Sequence, residues 1–100
     1  MLTKDKIINY ITDNRDILSN EYHINKIGLF GSFVNGDANN NSDIDIIVEF
    51  DENTDDIFDI KLKLSELFKK KFNRNVDIAR EKYLKSRVKD RILKEVIYVE

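Results

Sequence analysis

The sequence predicts an α/β domain, and two observations carry that prediction. Stretches with the apolar spacing of amphipathic helices alternate with short runs rich in β-branched residues, in the order helix, strand, strand, helix, strand, helix. The chain of 100 residues contains no proline and no low-complexity tract that would mark a boundary. Because a chain of this length encloses one modest hydrophobic core, we expect residues 1–100 to form a single domain.

The N-terminal part is expected to contain one helix and one strand. Thr3 is a suitable N-cap, and apolar residues follow it at helical spacing as far as Leu18, so the helix should end near Asn20. The apolar run from Ile24 to Phe30 is typical of a strand, and it stops at Gly31-Ser32.

The next segment is expected to contain a short turn and a second strand. Ser32 to Asn35 is long enough for one helical turn, and Gly36 suits the left-handed conformation that ends many helices. A polar turn around Asn39 to Ser42 then leads into the apolar run Ile44 to Phe50. We expect this run to lie beside the first strand.

The C-terminal half predicts helix, strand and helix. Asp55 to Phe72 places apolar residues on one side and lysines at its C-terminal end, where they complement the helix dipole. Val76 to Ala79 is typical of a short strand, and Tyr83 to Val96 returns to helical spacing. In the final apolar run we expect Tyr98 to pack within the protein, with contact to a partner as the alternative.

Two carboxylates stand where the second strand begins. Because side chains alternate along a strand, Asp43 and Asp45 project to one side and Ile44 to the other. Such a pair is costly without a cation, and Mg²⁺ takes carboxylate and phosphate oxygens together with water. Asp43 and Asp45 are therefore candidate ligands of one or two Mg²⁺ ions, and Asp77 would join them if its strand is adjacent.

Gly31-Ser32 offers the other half of a phosphate site. Glycine lets backbone N–H groups approach an anion, and a helix start directs further donors towards it. Taken alone, a Gly-Ser pair is usually a turn, and an isolated Asp-x-Asp is usually a capping or surface feature. Only the two together, at this spacing, favour a site.

The segment resembles the signature of the DNA polymerase β nucleotidyltransferase superfamily. Its pattern is Gly-Ser, ten residues and Asp-x-Asp; here Gly31-Ser32 is followed by the ten residues from Phe33 to Ser42 and then by Asp43-Ile44-Asp45. Within the superfamily the sequence resembles the minimal nucleotidyltransferase (MNT) family in length, in its initial helix and in a third aspartate on a later strand. The resemblance covers the whole chain and implies a small mixed β-sheet backed by helices.

The resemblance also implies residue roles. Gly31 and Ser32 would contact the triphosphate of ATP, Asp43 and Asp45 would bind two Mg²⁺ ions, and Asp77 would bind one ion and help to deprotonate the attacking hydroxyl. AMP would pass from ATP to that hydroxyl, with release of pyrophosphate. Many relatives have arginine just before the second glycine of the motif, whereas this chain has the neutral Asn35.

MNT proteins of this kind are commonly the antitoxin of a toxin–antitoxin pair whose toxin is a HEPN ribonuclease, and some adenylylate a toxin tyrosine. The resemblance therefore implies a HEPN-type toxin, encoded nearby, as the partner. Two alternatives stay open: a non-catalytic antitoxin that neutralises its toxin by binding, and a transferase subunit that acts on a small molecule.

Composition argues against nucleic-acid binding, cysteine-based sites and membrane insertion. A formal net charge of −2 argues against direct binding to nucleic acid, and the absence of cysteine excludes disulfides and thiolate metal sites. The absence of cysteine also fits a reducing cytoplasm, so we expect a cytoplasmic protein. No apolar run approaches the roughly 20 residues that span a bilayer, so we expect neither a membrane segment nor a cleaved signal. The basic C-terminal half is interpreted as a solvated surface; recognition of a protein partner, or cations that reach the triphosphate, are the alternatives.

Overall fold

Four strands form one sheet in the computed structural model of the protein, which describes residues 1–100. They are β1 (Ile24–Phe30), β2 (Ile44–Phe50), β3 (Val76–Arg80) and β4 (Ile97–Tyr98), and their order in the sheet is β3-β2-β1-β4. β1 is antiparallel to both β2 and β4, whereas β2 and β3 are parallel. The small mixed sheet and the α/β class are confirmed.

Five helices accompany the sheet. They are α1 (Lys4–Asp13), α2 (Arg15–Glu21), α3 (Ser32–Asn35), α4 (Ile57–Phe72) and α5 (Ser86–Glu95), and a 3₁₀ turn spans Glu81–Tyr83. The parallel pairing of β2 with β3 depends on α4, because parallel neighbours need a long crossover connection. No helix combines the length and the apolar character needed to cross a membrane.

The main core lies between α1, α2 and α4 and one face of the sheet. Its fully buried members are aliphatic apart from Phe68: Ile7, Ile11, Leu18, Ile24, Ile27, Leu29, Ile44, Ile46, Leu64 and Phe68. Tyr10 of α1 meets Phe68 and Phe72 of α4 edge-on, with ring centroids 5.4 and 5.2 Å apart. These aromatic contacts hold the first helix against the crossover helix.

The prediction of one continuous N-terminal helix is wrong, although its start is correct. Thr3 caps α1, since its Oγ1 accepts a hydrogen bond from the Lys6 N–H at 3.3 Å. At Asn14 the side-chain amide donates to the Tyr10 carbonyl at 2.8 Å. That carbonyl also accepts from the Asn14 backbone N–H. Asparagine competes in this way with regular helical bonding, and its φ of −109° and ψ of 14° separate α1 from α2.

Two further helix starts were predicted too early. Asp56 has a left-handed conformation, with φ 59° and ψ 38°, so α4 begins at Ile57 rather than at Asp55. Tyr83 belongs to the 3₁₀ turn, and Lys85 is extended at φ −66° and ψ 139°, so α5 begins at Ser86. Before α5 the apolar spacing continues through Tyr83 and Leu84, whose backbone is not α-helical. Before α4 the two aspartates have no apolar spacing, and only the left-handed Asp56 marks the boundary.

The C-terminal run forms a strand that was not predicted. Tyr98 pairs with Gly28 on the outer edge of β1, and the Val99 N–H donates to the Ile27 carbonyl at 2.9 Å. Tyr98 packs within the protein, as expected, with the Lys26 Nζ 4.3 Å from its ring centroid. β4 therefore closes the exposed edge of β1.

Gly28→Ala is expected to detach β4. A Cβ at Gly28 would lie 2.8 Å from the Val96 Cγ2 and 2.9 Å from the Tyr98 Cδ1. Overpacking of this kind costs about 1–3 kcal/mol, which denaturant unfolding would measure. Hydrogen exchange would show earlier loss of protection at the Val99 N–H than at the amides that join β1 to β2. Unchanged protection of Val99 would show that β4 tolerates the methyl group.

Candidate active site

The strand pairing brings the separated parts of the motif to one end of the sheet. In the antiparallel pair, Phe30 at the end of β1 stands opposite Asp45 near the start of β2. Gly31, the next residue, therefore lies beside Asp45. In the parallel pair, Asp77 of β3 is the register partner of Asp45. The adjacency on which the sequence prediction for Asp77 depended is thus present.

Gly31 is required by both backbone conformation and space. Its φ of 78° and ψ of −151° lie in a region that is essentially restricted to glycine. A Cβ there would approach the carboxylate of Asp45, with 2.9 Å to its Cγ. The Gly31 carbonyl accepts the Val34 and Asn35 N–H groups at 3.0 Å each, which starts α3 at Ser32. Ser32 therefore begins α3 one residue from the contact between Gly31 and Asp45.

Asp45 is surrounded by other negatively charged side chains. Burial raises the pKa of this half-buried carboxyl, and the carboxylates of Asp77, Asp43 and Glu95 raise it further, from 3.8 to about 6. Asp43 and Asp77 are themselves exposed. The three neighbouring carboxylates are close enough to Asp45 to disfavour its charge, and a divalent cation is the simplest group that would relieve this repulsion.

The donor atoms suit Mg²⁺, although the side chains do not form a complete metal cage. No group of three or more His, Cys, Asp or Glu residues is arranged to hold a metal ion. Mg²⁺ is usually held by one or two carboxylates, substrate phosphates and water rather than by an all-protein cage. Asp45 and its neighbours fit that pattern, and metal binding by Asp43, Asp45 and Asp77 stays a prediction.

Glu95 is a site residue that sequence reasoning missed. The Gly31 N–H donates to its Oε1 at 3.1 Å, although the two residues are 64 positions apart. α5 thereby borders a cleft of about 310 Å³ that contains several motif residues. The lining residues are Phe30, Gly31, Asn35, Asp45, Arg91, Ile92 and Glu95. No local pattern marks Glu95, since its role depends on how α5 packs.

A larger depression, of about 520 Å³, lies away from these residues. It contains His23 and several acidic side chains beyond the other end of β2, where the Asp51 N–H donates to the His23 carbonyl at 2.8 Å. None of the predicted site residues lines it. Cleft size therefore does not locate the site, whereas the strand register does.

Arg74, also missed, holds the loop that leads into Asp43. Its Nη1 donates to the carbonyls of Asn39 and Ser42 at 2.8 and 3.0 Å, and its guanidinium carbon lies 5.3 Å from the ring centroid of Phe33. One side chain thus joins the start of β3, the loop before Asp43 and α3. These contacts fix the two halves of the motif relative to each other.

Arg74→Ala is expected to loosen this loop and thereby to weaken the Mg²⁺ binding predicted for Asp43, which a Mg²⁺ titration would measure. Losing hydrogen bonds from a charged donor costs about 1.5–3 kcal/mol, which thermal unfolding would detect. Arg15→Ala is the matched control, because the Arg15 Nη2 donates to the Asn25 carbonyl at 3.1 Å outside the site. The control removes an arginine hydrogen bond elsewhere and should leave Mg²⁺ binding unchanged. If Arg74→Ala binds Mg²⁺ as well as Arg15→Ala does, Arg74 has only a structural role.

Known proteins match this chain over nearly its whole length. Residues 6–100 match the family described as polymerase beta, nucleotidyltransferase. The protein adenylyltransferase MntA of Thermococcus cleftensis is 34% identical over 99 residues, which cover 99% of this chain and 98% of the relative.

Two solved structures have a similar fold. The structure of a candidate minimal nucleotidyltransferase superposes with a TM-score of 0.73 at 24% identity, covering 92% of each chain. A chain from a toxin–antitoxin crystal structure with AMP-PNP gives 0.65 at 25% identity, covering 97% of this chain and 72% of that one. The family match along residues 6–100 and the 34% identity to the Thermococcus cleftensis relative confirm the resemblance found in the motif: the protein belongs to the polymerase β nucleotidyltransferase family.

Proposed function

We propose that this nucleotidyltransferase transfers AMP from ATP to a hydroxyl of a partner protein, with Mg²⁺, and acts as the antitoxin of a toxin–antitoxin pair. The observation that carries the proposal is the pairing of Asp45 with Asp77 directly beside Gly31. The relative from Thermococcus cleftensis, named a protein adenylyltransferase, supports the transferred group. The toxin–antitoxin structure with AMP-PNP supports both the nucleotide and the type of partner.

The proposed roles follow from exposure and position. Asp43 and Asp45 hold Mg²⁺, which when bound neutralises phosphate charge and orients the triphosphate. Gly31 and Ser32 bind phosphate oxygens, since the glycine allows close approach of the backbone. Asp77 is exposed at the open side of the site, so it can bind an ion and accept the proton of an incoming hydroxyl. The hydroxyl oxygen bonds to the α-phosphorus, the bond to the β-phosphate oxygen breaks, and pyrophosphate leaves.

The acceptor in this proposal is a tyrosine of a HEPN-type toxin encoded nearby. Asp43 and Asp77 are both exposed, so the carboxylate end of the sheet is open to a macromolecule. A reaction of this kind needs mainly positioning and charge neutralisation. The partner can therefore supply the nucleophile while this chain holds the nucleotide.

One observation favours a second candidate, an antitoxin that neutralises by binding alone. The Gly31 N–H, which the catalytic proposal assigns to phosphate, is already bonded to Glu95 at 3.1 Å. A protein that never binds nucleotide would keep this bond. The two candidates differ in whether the carboxylates at the site are needed.

Co-expression with the neighbouring toxin separates the two candidates. If transfer neutralises the toxin, Asp43→Asn and Asp45→Asn will still bind the toxin but will fail to rescue growth. Asp13→Asn is the matched control, because Asp13 is an exposed aspartate at the end of α1. Full rescue by both site variants would reject the enzymatic antitoxin and leave neutralisation by binding.

A further inference from the structure

The cleft between α5 and the motif has an uneven charge distribution. Asp45 and Glu95 contribute carboxylates, and Asn35 opposite α5 contributes no charge. Arg91, on the exposed side of α5, is the only basic residue among those that line the cleft. A bound triphosphate would add further negative charge there, so a cation in this cleft has a direct electrostatic function.

Neighbouring side chains are already engaged elsewhere. The Asn35 Oδ1 accepts the Asp37 N–H at 3.1 Å, which stabilises the turn after α3. Arg74 is bonded to the carbonyls of the loop before Asp43. Arg74 is therefore committed to that loop, and Asn35 is neutral, so its free amide N–H groups cannot balance phosphate charge.

Arg91 makes no ion pair. The two salt bridges of the protein join Lys26 to Glu81 and Arg80 to Glu49. The next residue on α5, Ile92, is 8% exposed and anchors the helix. An exposed guanidinium on an anchored helix is held near the cleft and remains free to bind a ligand.

We propose that Arg91 binds the β- and γ-phosphates of ATP from the α5 side of the cleft. This rests on the proposed function, because it takes the nucleotide to lie along Gly31-Ser32. Guanidinium is the side-chain group best suited to phosphate, since its planar fork donates two parallel hydrogen bonds. The same contact stabilises the charge that develops on the leaving pyrophosphate.

Glu95 is expected to lose its hydrogen bond to Gly31 when the nucleotide binds. It lies four residues after Arg91, so the two side chains share one face of α5. In the free protein the carboxylate of Glu95 accepts the Gly31 N–H. When the triphosphate binds, a phosphate oxygen would accept the Gly31 N–H in place of Glu95. Arg91 would then bind the β- and γ-phosphates.

The test measures binding of a non-hydrolysable ATP analogue and of AMP, both with Mg²⁺, by calorimetry. Arg91→Ala should weaken analogue binding by roughly 10- to 100-fold, the range for hydrogen bonds to a charged group. AMP lacks the outer phosphates, so its affinity should not change. Arg91→Lys should retain part of the analogue affinity. Lys85→Ala is the control, because Lys85 is an exposed cation at the start of α5 that does not line the cleft.

A second variant moves the guanidinium to another position in the same cleft. Asn35 lies in the same cleft as Arg91, so Asn35→Arg should restore analogue binding to the Arg91→Ala protein. The proposal is overturned if Arg91→Ala binds the analogue as well as the wild type, or if analogue and AMP weaken equally. Binding requires no transfer: a wild type that binds the analogue through Arg91 but labels no partner would refute the transferase proposal alone. Normal transfer with no effect at Arg91 would refute this inference alone.

Discussion

Asp45→Asn is expected to reduce AMP transfer by roughly 10³-fold or more while leaving the fold at least as stable as the wild type. In the proposed mechanism Asp45 holds Mg²⁺, so the loss would arise because a neutral amide does not supply the charge that this role needs. The retained stability arises because the replaced charge is half-buried among other carboxylates. Denaturant unfolding at neutral pH, measured beside transfer activity, checks both parts.

The pH dependence of stability gives an independent readout of the same carboxyl. Its pKa is raised in the folded state from 3.8 to about 6, so between these values the native protein holds a proton that the unfolded chain releases. The free energy of unfolding should therefore fall as the pH rises through this interval. The difference between wild type and Asp45→Asn isolates this contribution. A difference that does not vary with pH would contradict the assigned environment of Asp45.

Gly31→Ala is expected to lower both stability and activity. The glycine-only backbone conformation costs a substituted residue about 1–3 kcal/mol, and the new methyl group would also displace the carboxylate of Asp45. A misplacement of about 1 Å in a catalytic group can reduce the rate by roughly 10²-fold. Thermal unfolding and the transfer rate measure the two effects.

Gly36→Ala is the matched control for this prediction. Gly36 also has a positive φ, of 91°, but a Cβ there would meet nothing within 4 Å. The control should lose only the cost of a left-handed backbone, about 1–2 kcal/mol, and should keep its activity once folded. If both variants lose activity equally, the contact between Gly31 and Asp45 is not what limits the reaction.

Elements with strong local signals could be predicted from sequence. β1 and β2 have the predicted bounds because each apolar run ends at residues with turn chemistry, such as Gly31. The one-turn helix before Gly36 formed as expected, with Gly36 in the left-handed conformation. In contrast, β4 contains two residues, which is too short to show a period, and its place depends on Gly28 in a distant strand.

The residues of the candidate site also divide into those that a local sequence pattern predicts and those that it does not. Gly31, Ser32, Asp43 and Asp45 lie in one segment, so their spacing could be recognised directly. Asp77 could be placed beside Asp45 only if their strands were adjacent, and the sequence alone does not show adjacency. The parallel register of β2 and β3 pairs the two residues. Arg74, Arg91 and Glu95 could not be identified as neighbours of the motif, because they reach it through long-range packing that leaves no pattern in the chain.

The most direct measurement of the central claim compares ATP labelled on the α-phosphate with ATP labelled on the γ-phosphate. Each is incubated with Mg²⁺, this protein and the protein encoded beside it. Transfer of AMP predicts that the partner acquires the α-label and not the γ-label, and that Asp43→Asn and Asp45→Asn transfer neither. A partner labelled from the γ-phosphate, or labelled equally by both variants, would contradict nucleotidyl transfer at the Gly31 to Asp45 site.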